Sequence, residues 1–264
     1  SLRSTVMRIM KEIAKQIPGA RLVYRVLCDW SGRYQMKSKS MEDLFTDIYR
    51  KNGFLGKDSV SGPGSDVQQT SIITRELPAL IEAFKISKML DIPCGDFHWM
   101  KSIDLKNTAY TGADIVEELI QENSAKYGRD GVRFHHLNLI TDNLPKVDLV
   151  FCRDCLVHFS FADIALALEN VCNSESKYFL TTTFVGRNKN HDIRTGSWRP
   201  INLERFPFGF PKPLRVIQEG CTEDEGAFGD KSLGLWRIAD IRTCSRDWPL
   251  SRATSSIPEI SSRK

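Results

Sequence analysis

The stretch 86–100, ISKMLDIPCGDFHWM, has the residue types and spacing that best suit ligand binding. A short apolar run ends there in the acid Asp91, and the turn Pro93-Cys94-Gly95 follows directly. Glycine lets a backbone approach a ligand closely, and a helix that begins after such a turn offers unpaired amide groups. We therefore predict that this turn contacts a bound ligand.

The charges of the turn indicate which ligand it suits. A pyrophosphate binder would show G-x-G-x-x-G here, whereas this turn has one glycine, Gly95, and two acids, Asp91 and Asp96. Carboxylates repel a diphosphate but suit a ligand with an ammonium group, a sulfonium and free ribose hydroxyls, and S-adenosylmethionine has all three. A further acid, Asp114, lies 19 residues after Gly95, where an acid at a strand end can reach an adenosine ribose.

Alternating strands and helices must position these acids. Apolar runs predict strands over 89–92, 110–114, 132–136, 147–152, 177–183, 214–219 and 233–238, and helical spacing predicts helices over 70–84, 115–127 and 161–171. This order predicts an α/β fold, Rossmann-like and doubly wound, with a mostly parallel seven-stranded sheet and helices on both faces.

Three parts of the chain are predicted: an N-terminal helical extension with a Gly/Ser loop (1–69), the α/β domain (70–245) and a C-terminal tail (246–264). In the extension, the face Leu44, Phe45, Ile48 and Tyr49 predicts a second helix. The loop 59–65 is either a plain linker or a loop whose hydroxyls and amides hold a carboxylate or a phosphate.

The start of the chain is basic. Residues 1–40 hold nine Lys and Arg against two acids, and apolar residues recur at helical spacing over 4–17. Such a helix either packs on its own domain with a solvated basic face or lies on an anionic membrane surface, which would allow peripheral membrane contact.

Overall composition narrows the class of protein. A net charge of +4 is too small to predict nucleic-acid binding, and no apolar run approaches the length of a membrane span. Seven cysteines, an odd number, are typical of reduced thiols in an intracellular protein, and no secretory signal pattern is seen. A cytoplasmic location is predicted; the number of subunits is left open.

Together, the acid-ended strands, the Asp91–Asp96 turn, Asn138-Leu139 after the third strand and the long βα series resemble the class I S-adenosylmethionine-dependent methyltransferases. The resemblance covers roughly 70–240. More narrowly, the segments SGPGS, DIPCGDFHWM, CRDCLVH and DKSLGLW look like a bacterial group often associated with polysaccharide and glycolipid modification. It implies S-adenosylmethionine as methyl donor, S-adenosylhomocysteine as product, and a sugar or glycan acceptor that is free, lipid-linked or nucleotide-linked.

The resemblance also implies roles for matching residues. Asp91 and Gly95 would contact the methionine end of the donor, Asp114 the ribose, and Asn138 with the Leu139 amide the adenine edge. The other predicted donor-binding residues are Pro93, Asp96, Trp99, Ile115 and Arg153. The turn departs from the usual glycine-rich pattern, because Pro93 and Cys94 stand where glycine or another small residue is common.

The segment 152–158, CRDCLVH, follows the fourth strand, which in this fold faces both donor and acceptor. Asp154 and His158 are four residues apart and would share a face of a helical turn. A sugar hydroxyl is barely acidic, so a positioned base contributes roughly 10²–10⁴-fold. We predict that His158 is this base and that Asp154 orients it or binds substrate; the alternative is a buried histidine beside a helix-capping aspartate.

Cys152 and Cys155 have the C-x-x-C spacing of some metal and redox sites. No second such pair exists, and Cys152 falls on a strand predicted to be buried, so structural thiols are the preferred interpretation. We predict no metal site.

The longest irregular stretch, 186–213, mixes aromatic residues with hydrogen-bonding ones. Loops of this length in compact domains are usually functional. We predict a lid over the acceptor, with His191 as a second candidate base and with the substrate-binding residues Arg187, Asn190, Arg194, Trp198 and Arg199. The alternative is a proline-braced cap over the sheet edge.

Three other functions stay open. They are methyl transfer to another small molecule or to nitrogen, a nucleotide-dependent oxidoreductase on the same fold, and a binding module with a degenerate cofactor pocket. The single-glycine turn disfavours the oxidoreductase, and the joint presence of Asp91, Gly95 and Asp114 disfavours the binding module.

Overall fold

The computed structural model of the chain describes residues 39–245 and Trp248. The predicted basic helix over 4–17 and the tail from 246, Trp248 apart, lie outside the described residues, so the membrane contact stays a prediction. Within the described part, no helix is long and apolar enough to cross a membrane.

Seven strands form one sheet in the order β3-β2-β1-β4-β5-β7-β6. Strands β1 to β5 run parallel, β7 runs antiparallel to β5, and β6 pairs antiparallel with β7. The strands are β1 Lys88–Asp91, β2 Ala109–Asp114, β3 Val132–His136, β4 Leu149–Cys152, β5 Tyr178–Phe184, β6 Arg215–Gln218 and β7 Lys231–Arg237. The predicted seven-stranded, mostly parallel sheet is confirmed, and the antiparallel element is the hairpin β6–β7.

The helices are α1 Met41–Arg50, α2 Val67–Ala83, α3 Glu117–Tyr127, α4 Phe161–Asn173 and α5 Ile238–Arg242. Serine side chains cap two of them: Ser40 Oγ accepts from Asp43 N at 3.0 Å and Ser160 Oγ from Asp163 N at 3.1 Å. Helix α2 begins at Val67, three residues before the predicted start, directly after the turn Pro63–Ser65.

Two hydrophobic cores cover the faces of the sheet, as the period of two along each strand requires. Leu90, Val150 and Phe179 face one core, which includes Ile164 and Leu168 of α4. The neighbouring strand residues Met89, Leu149, Phe151 and Leu180 face the other, with Ile73, Leu77 and Leu80 of α2. Strands buried on both sides explain the nearly unbroken apolar runs in the sequence.

The long segment between β5 and β6 carries no helix or strand. Its apolar residues Ile201, Leu203, Phe208 and Phe210 are buried in the core that contains α4. The apolar part of this segment therefore packs into that core.

The register brings the chemistry-bearing residues to one edge. Asp91 ends β1, Asp114 ends β2 and Cys152 ends β4, all at the carboxyl side of the parallel strands. Because β7 runs the other way, its first residue, Lys231, pairs with the last residue of β5, Phe184, at that same side. This edge is where doubly wound folds bind ligands.

Candidate active site

A cavity of about 140 Å³, here called the donor cavity, opens at this edge. All ten residues predicted to bind the donor line it, as do Asp154 and His158: Asp91, Pro93, Gly95, Asp96, Trp99, Asp114, Ile115, Asn138, Leu139 and Arg153. The structure thus brings the predicted set together, and their contacts with a donor stay predictions.

Asp91 lies at the floor of the donor cavity, with 3% of its surface exposed. Its Oδ2 accepts a hydrogen bond from the Tyr110 hydroxyl at 2.6 Å. Burial raises the pKa of Asp91 to about 8, despite the opposing effect of that hydrogen bond. The carboxyl is therefore poised to ionise when a cation enters the cavity.

Asp114 lies beside the turn after β1. Its Oδ2 accepts from Gly95 N at 3.2 Å and its Oδ1 from Val116 N at 3.0 Å. Burial raises the pKa of Asp114 to about 6, although these amides favour the ionised form. Neither Asp91 nor Asp114 forms an ion pair with a Lys, Arg or His side chain of residues 39–245.

The Gly/Ser loop 59–65 binds the carboxylate of Asp96 in the turn after β1, and a ligand site in this loop stays a prediction. Ser59 Oγ donates to Asp96 Oδ1 at 2.9 Å and Val60 N donates to Asp96 Oδ2 at 3.0 Å. Gly95 has φ +57°, and a Cβ on it would lie 2.2 Å from Ser61 Oγ. Glycine is needed here for the approach of the loop as well as for the turn.

Helix α1 forms a wall of the donor cavity that sequence reasoning missed. Met41, Phe45, Tyr49 and, beyond the helix, Phe54 line the cavity. The helix docks on α3, because Arg50 pairs with Glu118 and the Tyr49 hydroxyl donates to Glu122 Oε1 at 3.0 Å. The amphipathic face of 41–56 predicted a helix that packs on the protein, but it could not predict which surface the helix contacts.

A buried group of charges follows β4. Lys231 Nζ lies 2.6 Å from Asp154 Oδ2, and Arg153 Nη2 lies 2.7 Å from Glu219 Oε2. Burial alone would raise the pKa of Asp154, but Lys231 and Arg153 hold it well below its usual range. Asp154 is therefore ionised and held in place by its ion pairs. Its backbone φ of +52° lies in the left-handed region, and residues with such strained backbones cluster at functional sites.

His158 is held by the segment 195–199. Its Nδ1 lies 2.9 Å from the Ser197 carbonyl oxygen, and its own carbonyl accepts from Gly196 N at 2.8 Å. Because a carbonyl only accepts, Nδ1 donates this hydrogen bond, and in the neutral imidazole Nε2 is then the nitrogen that can accept a proton. The ring also packs on Phe54, with centroids 4.7 Å apart.

A second cavity, of about 50 Å³, adjoins the first, and Phe54, Ser61, Asp154 and His158 line both. The other residues that line the second cavity are Gly62, Pro63, Gly64, Phe184, Trp198, Cys221, Glu223, Phe228 and Lys231. Trp198 is the predicted substrate-binding residue that lies here. Lys231, Glu223 and Phe228 were missed, since only the fold brings the hairpin β6–β7 to this edge.

Three other residues predicted to bind the acceptor form hydrogen bonds or ion pairs within the chain. The prediction for Arg199 is corrected: it is 1% exposed and donates to the Leu156 and Phe159 carbonyls, both at 2.8 Å. Arg187 pairs with Asp230 at 2.8 Å, and Asn190 Nδ2 donates to the Asn202 carbonyl at 2.9 Å.

His191 and Arg194 are exposed, and neither lines either cavity. The lid over the acceptor stays a prediction, and of the residues named for it, Trp198 is the one that lines a cavity.

Cys152 and Cys155 are buried, and the pKa of Cys155 is raised well above its usual value by its contact with Cys152 and by burial. Such thiols are unreactive. Within residues 39–245, no three His, Cys, Asp or Glu side chains are grouped in a way that could hold a metal ion.

No protein-family model and no curated protein matches the sequence. The fold does match solved structures. Human N-acetylserotonin methyltransferase in complex with S-adenosylmethionine superposes with a TM-score of 0.56 at 14% identity, over 82% of this chain and 67% of that one.

Two further structures are similar. One is Burkholderia thailandensis 1,6-didemethyltoxoflavin-N1-methyltransferase with bound S-adenosylhomocysteine, which superposes with a TM-score of 0.54 at 13% identity, over 75% of this chain and 86% of that one. The other is a Leishmania major S-adenosylmethionine-dependent methyltransferase, which superposes with a TM-score of 0.53 at 15% identity, over 76% of this chain and 86% of that one. The chain thus has the Rossmann-like fold of these methyltransferases. Its strand order includes an antiparallel β7, unlike the order 3-2-1-4-5-6 of dinucleotide-binding folds.

Proposed function

We propose that this chain is an S-adenosylmethionine-dependent methyltransferase that acts on a hydroxyl of a sugar or glycan. The observation that carries the proposal is that the buried carboxyls of Asp91 and Asp114 face one cavity with His158 at its margin. The fold shared with solved methyltransferases supports the same assignment.

The cavity suits this donor. Asp91, buried and without a cationic partner among the described residues, would hold the ammonium group, and Asp114 would accept hydrogen bonds from the ribose hydroxyls. Asn138 and Leu139 line the part of the cavity that would take the adenine. When bound, the donor supplies an electrophilic methyl group on its sulfonium.

His158 would act as the base. Its Nδ1 is fixed on the Ser197 carbonyl, so Nε2 is the atom that would take the proton of the acceptor hydroxyl. Because the ring lines both cavities, it stands where donor and acceptor would meet. Holding the acceptor oxygen in line with the methyl group would supply much of the acceleration.

The acceptor would enter through the second cavity. Aromatic rings at Trp198 and Phe228 offer apolar faces for a sugar ring, and the carboxylates of Asp154 and Glu223 can accept hydrogen bonds from hydroxyls. The choice of a sugar also rests on the narrower resemblance of the four sequence segments quoted above.

Calorimetric titration with S-adenosylmethionine and with S-adenosylhomocysteine tests the donor assignment. Wild-type protein should bind both, Asp114→Ala should lose the binding, and Asp130→Asn, an exposed acid that lines neither cavity, should keep it. Binding that is absent in the wild type, or unchanged in Asp114→Ala, contradicts the proposal.

The acceptor class is then tested by mass spectrometry. Mono- and oligosaccharides are incubated with enzyme and donor, and a gain of one methyl group is sought in each. Product fragmentation places the methyl group on oxygen or on nitrogen, which separates the sugar hydroxyl from the nitrogen acceptor.

A further inference from the structure

The side chain of Tyr110 reaches the carboxyl of Asp91 from the neighbouring strand. Its hydroxyl donates to Asp91 Oδ2 at 2.6 Å, a length typical of a hydroxyl bound to a carboxylate. In the parallel register of β1 and β2, Tyr110 pairs with Met89, two residues before Asp91. Residues two apart on a strand point to the same face, so Tyr110 and Asp91 are diagonal neighbours on one face of the sheet.

The path of the Tyr110 ring depends on a glycine. Gly112 is the residue of β2 that pairs with Asp91, and a Cβ on it would lie 3.1 Å from Tyr110 Cε1. The ring also packs on Phe97 and Phe134, with centroids 5.2 and 6.1 Å apart. Tyr110 is 1% exposed, so its hydroxyl is held against the carboxyl and away from solvent.

The two oxygens of the Asp91 carboxyl have different surroundings. Among residues 39–245, the Tyr110 hydroxyl is the one hydrogen-bond donor to this carboxyl. Asp91 lines the donor cavity, whereas Tyr110 does not. The hydroxyl therefore binds Oδ2 from the protein side, and Oδ1 is the oxygen left for a ligand in the cavity.

The groups around Asp91 act on its charge in opposite directions. Burial has the largest effect on the pKa of Asp91 and raises it, and the Tyr110 hydrogen bond has the next largest and lowers it. Asp114 at the end of β2 raises this pKa by less, and Arg153 after β4 lowers it by less. Burial raises the pKa values of Tyr110 and of Cys94 in the adjoining turn well above their usual range, so both keep their protons.

We propose that Tyr110 is a positioning residue of the donor site: its hydroxyl holds Oδ2 of Asp91 and stabilises the carboxylate, so that Oδ1 faces the ammonium group of the donor. The inference rests on the proposed function, which takes the donor to be S-adenosylmethionine. It gives a strand residue outside the cavity a part in setting the affinity for an ammonium group. A tyrosine that only fills space in the core would have no such effect.

A pair of ligands separates this role from packing. S-adenosylhomocysteine and the analogue that lacks its amino group are titrated calorimetrically into the full chain at pH 7. Tyr110→Phe keeps the ring and removes the hydroxyl. The variant should bind S-adenosylhomocysteine about 10–100-fold more weakly than the wild type does, because the carboxylate loses a hydrogen bond that favours its charged form. It should bind the amino-free analogue to within about threefold of the wild type.

The ligand-free protein gives a second measurement. The Asp91 carboxyl is followed by carbon NMR of labelled aspartate and is assigned with Asp91→Asn. Its titration midpoint should move upward by about one to two pH units in Tyr110→Phe. Tyr127→Phe is the matched control, because the Tyr127 ring packs on the same Phe97 at 5.2 Å and Tyr127 does not line the donor cavity. Both measurements on this control should match the wild type.

A double variant tests whether Tyr110 acts through Asp91. In the Asp91→Asn background, Tyr110→Phe should change the affinity for S-adenosylhomocysteine by less than about threefold, because the charge that the hydroxyl stabilises is already absent. A full additional loss in the double variant would overturn the proposal, since the hydroxyl would then act on something other than this carboxylate.

The outcomes separate this proposal from the proposed function. A wild type that does not bind S-adenosylhomocysteine would refute the methyltransferase assignment and, with it, a role of Tyr110 in donor binding. Wild-type binding that is unchanged in Tyr110→Phe, an equal loss for both ligands, or an unmoved titration of Asp91 would refute the role of Tyr110 alone.

Discussion

The Nδ1 atom of His158 lies 2.9 Å from the carbonyl oxygen of Ser197. The two residues are 39 positions apart in sequence, and the main chain holds them together again through Gly196 N, which donates to the His158 carbonyl at 2.8 Å. The orienting group is a backbone atom, so side-chain substitution at Ser197 leaves it in place. The imidazole is thus fixed by the segment that also brings Trp198 to the second cavity.

Replacement of His158 by Ala should lower kcat by about 10²–10⁴-fold, because the group that takes the acceptor proton is lost. The affinity for S-adenosylhomocysteine should not change. Steady-state kinetics and calorimetry measure the two effects, and His135→Ala, an exposed histidine of β3, is the control. A fully active His158→Ala enzyme, or loss of activity in His191→Ala instead, would refute the role.

Asp91→Asn should stabilise the ligand-free protein at high pH. The pKa of Asp91 is about 8 in the folded chain against an ordinary 3.8, so the stability it contributes is complete below pH 3.8 and is lost as pH rises through about 8. At pH 8 the variant should gain at least about 1 kcal/mol, which raises Tm by roughly 2–4 °C. Thermal melts from pH 4 to 9 measure this.

The same substitution should weaken donor binding. In the wild type, affinity for S-adenosylmethionine should rise toward pH 8 as Asp91 ionises, because the carboxylate attracts the ammonium group. Asp91→Asn should remove this rise and weaken binding by roughly 10–100-fold. A pH-independent wild-type affinity would contradict the assignment, and Asp130→Asn should behave as the wild type.

Lys231→Met should destabilise the protein by about 3–5 kcal/mol, because it removes a buried cation that lies 2.6 Å from Asp154 and 3.4 Å from buried Glu219, and Arg153 is then the one cation of the described residues paired with both carboxylates. Adding Asp154→Asn should recover part of the loss, which a double-mutant cycle in denaturant quantifies. The matched control is Lys146→Met, since Lys146 pairs with Glu175 on the surface and both side chains are about 70% exposed. That change should cost no more than about 1 kcal/mol.

Gly95→Ala should impair both stability and donor binding. The new Cβ would meet Ser61 Oγ at 2.2 Å and would also have to adopt a φ of +57°. Gly131→Ala isolates the second effect, because Gly131 has φ +80° and nothing lies within 4 Å of its Cβ position. We expect Gly131→Ala to cost about 1–2 kcal/mol and Gly95→Ala clearly more. Equal losses of stability in the two variants would mean that the loop 59–61 moves away from the new Cβ at little energetic cost.

The grouping of the ten predicted donor-binding residues around one cavity was predictable from the sequence. Asp91 and Asp114 each end an apolar run, and parallel strands place their carboxyl ends at one edge, so local pattern and fold geometry together put the acids side by side. The same reasoning placed Asp154 and His158 after β4. The strand order alone was sufficient for these predictions.

The lining of the second cavity was not predictable in this way. Lys231 meets Asp154 across 77 residues of sequence, and a lysine at the start of an apolar strand carries no local sign of burial. Conversely, Arg199 and Asn190 have the residue types of ligand binders, but both donate to backbone carbonyls of the chain, Arg199 to that of Leu156 before α4 and Asn190 to that of Asn202. Composition predicted a functional loop and could not tell which of its side chains face inward.

The reversed direction of β7 has a consequence for how the acceptor range can be changed. Because β6 ends and β7 begins at the active edge, the hairpin connection 219–230 forms one short, contiguous segment that delivers Glu223 and Phe228 to the second cavity. None of these connection residues lines the donor cavity. Under the proposed function, substitutions within 221–230 would therefore change the acceptor range, whereas Glu219 has to be kept because it pairs with Arg153 at the donor cavity.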